Sequence, residues 1–172
     1  MSTSIETTDT IDAILGVDAS SSIAQLRAKK PELAQQLQDY YLSIFAPTPE
    51  SAAQLSLHDR ALVAVRVAAH TNSQAVEDWY AELARASGAT TVDIERTEDL
   101  TNTWSTPSPL GAAIQHADLL TTAPASATAD DLQRLKDAGF TPVGILSLSQ
   151  TIAFVSYQLR LIAALRALGA SA

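Results

Sequence analysis

No cysteine occurs among the 172 residues. That single absence excludes disulfides, zinc–thiolate sites, iron–sulfur clusters and thiol nucleophiles together. Aromatic residues are few, at 5 %, so small aliphatic side chains, chiefly Ala and Leu, must build most of the core. Both are strong helix formers, which tilts the fold class towards all-α. Glycine is sparse as well: the six present are scattered as caps and stops, and no Gly-rich phosphate loop exists. Positive charge is in deficit, with 11 Lys and Arg against 19 Asp and Glu, for a net charge of −8. Nucleic acid and an anionic membrane both ask for a basic surface, so neither is expected as a partner. The densest basic group, Arg27, Lys29 and Lys30, reads as a solvated helix face. Alternating apolar runs and hairpin turns, the marks of strands, are missing.

What is present suits one well-packed domain over residues 1–172, with 47 % hydrophobic and 17 % charged residues. Met1 to Asp12 holds no basic n-region and no apolar h-region, so no signal peptide is expected. The most apolar stretch, Gly144 to Leu168, is broken by Gln150, Gln158, Arg160 and Arg166, a poor pattern for a membrane span. A cytoplasmic protein is the expectation.

Caps and periodicity then divide the chain. Residues 1–8 are Ser/Thr-rich and expected to be frayed, and 9–50 read as an N-terminal helical extension. Asp9 to Leu15 makes a short helix closed by Gly16. Ser20, Ser21 and Ser22 offer caps for a helix reaching Lys30. Pro31 opens a helix to Phe45, which Pro47 and Pro49 end. Leu57 to His70 is apolar almost all round from Ala61 to Ala69, the pattern of a buried central helix. Thr71 and Gln74 suggest a capping box for a helix over Ser73–Ser87, stopped by Gly88. A short helix over Thr90–Arg96, a loop over Thr101–Pro107, a helix from Pro109 and one from Thr128 to Gly139 follow. Thr141 and Pro142 start the last helix, which runs to Leu168 over about 40 Å. Its residues Ile145, Leu148, Ile152, Val155, Leu159 and Ile162 form an a/d seam. Leu146, Ala153, Leu161, Leu165 and Leu168 form a second apolar strip. That strip calls for a further neighbour, either a second subunit or the N-terminal helices folded back.

Candidate chemistry is thin. His58 and His70 are twelve residues apart on one helix, about 18 Å, too far to share a metal. No HExxH and no carboxylate cluster occurs either, so no metal and no cofactor are expected. Arg66 is the lone charge in an apolar helix and needs a partner or an exit to solvent. A partner on another helix would make a structural ion pair; a substrate carboxylate would make Arg66 a binding residue. His70 ends the same helix, where it would bond the terminal carbonyls or face a site. Glu77 and Tyr80 lie three apart and could share a pocket with His70 for cofactor-free acid–base work, with His116 joining as a binding residue. The alternative is a solvated Glu77 and a core Tyr80 with its hydroxyl bonded.

Three stretches carry a family likeness: LSLHDRALVAVRVAA from Leu57, ADLLTTAPASATADDLQRLKDAGF from Ala117, and LSLSQTIAFVSYQLRLIAALRAL from Leu146. In this order, with the N-terminal extension before them, they resemble the carboxymuconolactone decarboxylase superfamily, in particular a cysteine-less subfamily of its alkylhydroperoxidase-like, peroxidase-related branch. The resemblance implies an all-α, alkylhydroperoxidase-like helical bundle that assembles as a homo-oligomer, with a thiol-bearing relative as a candidate partner. Redox members of that family carry a CxxC pair, a histidine four residues after it and an upstream glutamate that together activate the thiols. Aligned on the buried helix, the cysteine positions fall at Ser73 and Val76, the histidine at Tyr80 and the glutamate at about Ala61. Ser73 reads as a helix cap, because an unactivated hydroxyl cannot cycle through a disulfide. The expectation is therefore a member without thiol peroxidase activity. Its rivals are an acid–base enzyme of decarboxylase or lactone-acting type and a non-catalytic binding or assembly subunit.

Overall fold

The computed structural model describes residues 9–104 and 108–169. The frayed segment expected over residues 1–8, and the end of the loop expected over 101–107, lie outside them. Among the described residues the chain is all-α: ten α-helices, one 3-10 turn at Pro124–Ser126, and no strand. The helices are α1 Thr10–Leu15, α2 Ser22–Arg27, α3 Pro31–Phe45, α4 Pro49–Ala52, α5 Leu57–Ala69, α6 Gln74–Ala86, α7 Thr91–Glu98, α8 Pro109–Thr122, α9 Ala129–Asp137 and α10 Pro142–Gly169.

Local chemistry sets most of these boundaries. Asp9 accepts from the Ile11 and Asp12 amides, Ser56 from Asp59 and Ser108 from Gly111, each satisfying donors that the first helical turn leaves orphaned. Thr90 with Asp93, and Thr128 with Asp131, form reciprocal capping boxes. Gly88 and Gly139 follow α6 and α9 at φ 99° and 98°, a conformation that costs a β-carbon-bearing residue dearly. Two expectations need correction. Thr71 and Gln74 form no capping box: the Thr71 hydroxyl donates back to the Ala68 carbonyl at 2.8 Å, and Asn72 turns the chain at φ 53°. Pro49 does not only follow a helix end; it occupies the first turn of α4, where its missing N–H is no loss.

The core is organised around α5. Every residue from Arg60 to Ala68 is at most 2 % exposed, because α5 packs against α3, α6, α7, α8 and α10. Burying Leu62, Val63, Val65 and Val67 stabilises the fold by roughly 1.5–3 kcal/mol per side chain. Leu148, Ile152, Val155, Leu159 and Ile162 of the α10 seam are buried against this pillar. At 28 residues with a mean hydropathy of 1.3 over its most apolar window, α10 is long and apolar enough to cross a membrane by length and composition alone. In this fold it is instead the strut on which α1, α2, α3, α5, α8 and α9 lean. Its second strip divides: Leu165 is buried and Leu161 half-buried beside α2 and α3, while Leu146 and Leu168 are exposed. The scarce aromatics gather between α3, α6 and α10. Tyr41 and Phe45 lie 5.0 Å apart, Phe45 and Tyr80 5.1 Å, and Tyr40 and Phe154 5.0 Å; such pairs contribute about 0.5–1.5 kcal/mol each beyond burial.

Candidate functional site

The residues singled out by sequence surround α5 and α6 but do not converge. Arg66 projects from the inner face of α5 towards α8 and the segment after α7. Its Nε and Nη2 donate to Asp118 Oδ1 and Oδ2 at 2.6 and 2.9 Å, a bidentate pair. Its Nη1 donates to the Thr97 and Asp99 carbonyls at 3.1 and 2.7 Å, and Nη2 reaches the Asn102 carbonyl at 3.4 Å. A guanidinium that is 2 % exposed is thus saturated by protein acceptors, as a buried cation must be. No donor remains on it for a substrate carboxylate. Arg66 is a structural clamp joining α5, α7, the 99–102 turn and α8.

His70 shares the same carboxylate, with Nε2 2.6 Å from Asp118 Oδ1. The expected bonding of His70 to the terminal carbonyls of its own helix is not found; α8 supplies its partner. An Asp–His pair is the orienting half of a nucleophilic triad. Here the carboxylate charge is already engaged by Arg66, and the His70 side chain makes no further hydrogen bond among the described residues.

Tyr80 faces the other way. Fully buried, it donates its hydroxyl to Gln158 Oε1 of α10 at 2.6 Å. Burial pushes its phenol well above the usual range, with the nearby Tyr41 adding to the shift and the Gln158 bond opposing it. A phenol so held stays protonated at neutral pH and cannot serve as a base. Glu77, one turn before, looks towards α7, where burial first and then the charges of Glu98 and Asp78 raise its carboxyl above the ordinary value. His116 is buried on the α8 face that meets α9. Burial lowers its pKa, Asp131 opposes that and Arg134 adds to it. Glu77, Tyr80, His70 and His116 therefore point to four different neighbours, and the acid–base constellation expected from their spacing is not assembled.

The positions aligned with a thiol relay are filled. Ala61, Val76 and Tyr80 are all 0 % exposed, packed between α5, α6 and α10. Ser73 does occupy the N-cap position of α6, yet its side chain makes no capping bond, so the expected capping role is only positional. It borders instead a cavity of about 430 Å³ of mixed lining, with Thr71, Asn72, Thr121, Ser156, Arg160 and Arg166 beside the apolar Leu159 and Ala163. Neither arginine makes an ion pair among the described residues, and the Thr121 hydroxyl is buried without a partner. No group of three His, Asp or Glu side chains able to hold a metal occurs among the described residues.

Sequence reasoning missed three contributors. Asp118 carried no signal beyond Arg66's need for a partner. Arg60, also 2 % exposed, bonds the Leu55 carbonyl at 2.8 Å and Ser51 Oγ at 2.9 Å, tying α4 to α5 without any carboxylate. Arg27 is no solvated decoration: it pairs with Asp9 and Asp12 and locks α2 onto α1.

Neither the models of known protein families nor the curated proteins contain a match to this sequence.

Proposed function

We propose that the chain is a cysteine-less member of the carboxymuconolactone decarboxylase superfamily, from its alkylhydroperoxidase-like, peroxidase-related branch, that acts in the cytoplasm by binding and not by turnover. The single observation that carries this reading is the filled space where a thiol relay would sit. Ala61, Val76 and Tyr80 exclude solvent there, and the Tyr80–Gln158 hydrogen bond closes it. Catalysis needs room for a reacting atom within about 3 Å of its acid, base or nucleophile. The packed core leaves none. The rival acid–base enzyme loses support for the same reason, since Glu77, Tyr80 and the histidines have separate neighbours. The test follows hydroperoxide consumption with a dithiol donor and the purified full chain. Loss at the rate of a heat-treated control supports the reading, and turnover above a metal-stripped control overturns it.

A second reading, specific to the cavity beside Ser73, is that what the protein binds there is a small anion. Arg160 and Arg166 bring to one wall two guanidiniums that have no carboxylate partner among the described residues, and the orphaned Thr121 hydroxyl lies on another. Bidentate guanidinium contacts suit carboxylate and phosphate oxygens. Amide NMR shifts of Asn72, Ser73 and Gln74 on titration with succinate or inorganic phosphate test it. Saturable shifts lost in Arg160→Gln/Arg166→Gln support it; their absence at millimolar anion rejects it.

A further inference from the structure

The groove between α2, α3 and α10 is a strongly apolar concavity, and its chemistry is unlike that of the cavity beside Ser73. It encloses about 320 Å³, at the lower end of the roughly 300–1,000 Å³ range of small-molecule sites. Its floor is made by Leu37, Leu161 and Leu165, and its walls by Leu26, Leu33 and Tyr157. The wall residues are 41 %, 48 % and 49 % exposed, so three large apolar side chains stand in water around one slot.

Charge singles out the mouth. The α2–α3 turn places Lys29 and Lys30 there, beside Arg27. Arg27 is engaged by Asp9 and Asp12, but neither Lys29 nor Lys30 makes an ion pair among the described residues. On a chain of net charge −8, two adjacent ammonium groups without an ion pair among the described residues, set over an apolar slot, complement a hydrocarbon tail that ends in an anionic head. Lysine suits this role, because its methylene stem lines apolar surface while its head stays in water. A volume of about 320 Å³ is on the scale of one aliphatic chain.

We propose that this groove binds a free medium- or long-chain carboxylic acid, its tail along Leu26, Leu33, Leu37, Leu161 and Leu165 and its carboxylate at Lys29 and Lys30. The site stands independently of the family reading: it shares α10 with the relay region, but none of the groove's residues is among Ala61, Ser73, Val76, Tyr80 and Gln158.

Isothermal titration calorimetry of the full chain with dodecanoate, kept below its micelle concentration, tests the assignment. One-to-one binding is expected, tightening about fourfold for each methylene from octanoate to dodecanoate as each joins the apolar floor. Dodecyltrimethylammonium, with the same tail and opposite charge, should bind at least tenfold more weakly. Lys29→Gln/Lys30→Gln should weaken dodecanoate at least fivefold and leave dodecanol unchanged. Leu33→Asp, at an exposed position where the helix is not at risk, should abolish binding with circular dichroism intact. No saturable binding at millimolar dodecanoate, equal affinity for the cationic amphiphile, or binding untouched by Leu33→Asp overturns the proposal. So does light scattering that gives twice 18.2 kDa for the ligand-free chain and half of that for Leu33→Asp, which would place a second copy in the groove.

Discussion

Replacing Asp118 by Ala takes away the only carboxylate that, among the described residues, pairs with a guanidinium almost without access to water. Arg66 loses two bonds of 2.6 and 2.9 Å, and His70 loses its 2.6 Å contact; a hydrogen bond to a charged group contributes about 1.5–3 kcal/mol. The two Arg66 bonds alone come to roughly 3–6 kcal/mol, but the Asp118 side chain is 29 % exposed, so water can enter the space it leaves and rebond both Arg66 and His70. The Thr97, Asp99 and Asn102 carbonyls also remain on Arg66. A loss of about 3 kcal/mol is therefore expected, which at about 2–4 °C per kcal/mol for a chain of this size lowers Tm by roughly 6–12 °C. Urea denaturation followed by circular dichroism gives the same quantity independently. Pairing the change with Arg66→Met distinguishes a clamp from two unrelated residues: the double variant should be less destabilised than the sum of the singles by at least about 1 kcal/mol. An Asp118→Ala loss under about 1 kcal/mol, or strict additivity, refutes the argument that this ion pair fastens α8 to α5.

Three further outcomes follow from the geometry. Tyr80→Phe strips the donor from Gln158 Oε1, whose Nε2 is already buried without a partner, and should cost about 1–3 kcal/mol by urea denaturation; Tyr80→Phe with Gln158→Leu should recover part of it. His116, with its pKa lowered in the fold by burial, favours the neutral form. Its contribution is therefore whole above the unfolded value of about 6.5 and is lost as pH falls below that towards the folded value. Glu77 and Glu98, raised in the fold mainly by burial, act with the opposite sign and at lower pH, so the fall in urea midpoint from pH 7 to 5.5 should flatten in His116→Gln. Gly88→Val should cost more than about 1 kcal/mol, because its φ of 99° suits glycine alone, whereas a loss within 0.5 kcal/mol of zero would contradict that assignment.

The sequence carried the helices further than it carried the site, and the reason is range. Caps act within three residues, so Asp9, Ser56, Ser108 and the Thr128–Asp131 box announce their helices in the chain itself. Where the same local grammar allows two outcomes, tertiary geometry chose: Asn72 in the left-handed region drew Thr71 back to Ala68 and left Gln74 without its box. The burial of α5 was legible because no solvent face exists along it. Arg66's need for a partner was legible for the same reason. That the partner is Asp118, 52 residues on, was not, since a carboxylate on an amphipathic helix looks solvated until the helix is docked. Glu77 and Tyr80 failed as a pair because three-residue spacing makes neighbours along a helix without deciding which other helix each one meets.

The all-round burial of α5 bears on how this chain can vary over time. An amphipathic helix offers a wet face on which substitutions drift almost without cost, and α3 and α9 each have one. From Arg60 to Ala68 there is no such face. Ala61, Ala64 and Ala68 hold neighbouring helices close by being small, so larger replacements overpack, while Leu62 and the valines leave cavities if trimmed. Acceptable changes along this segment must come in compensating pairs with residues of α6, α8 or α10. Relatives of this protein should accordingly be easiest to recognise by these nine positions, and hardest by its N-terminal helices.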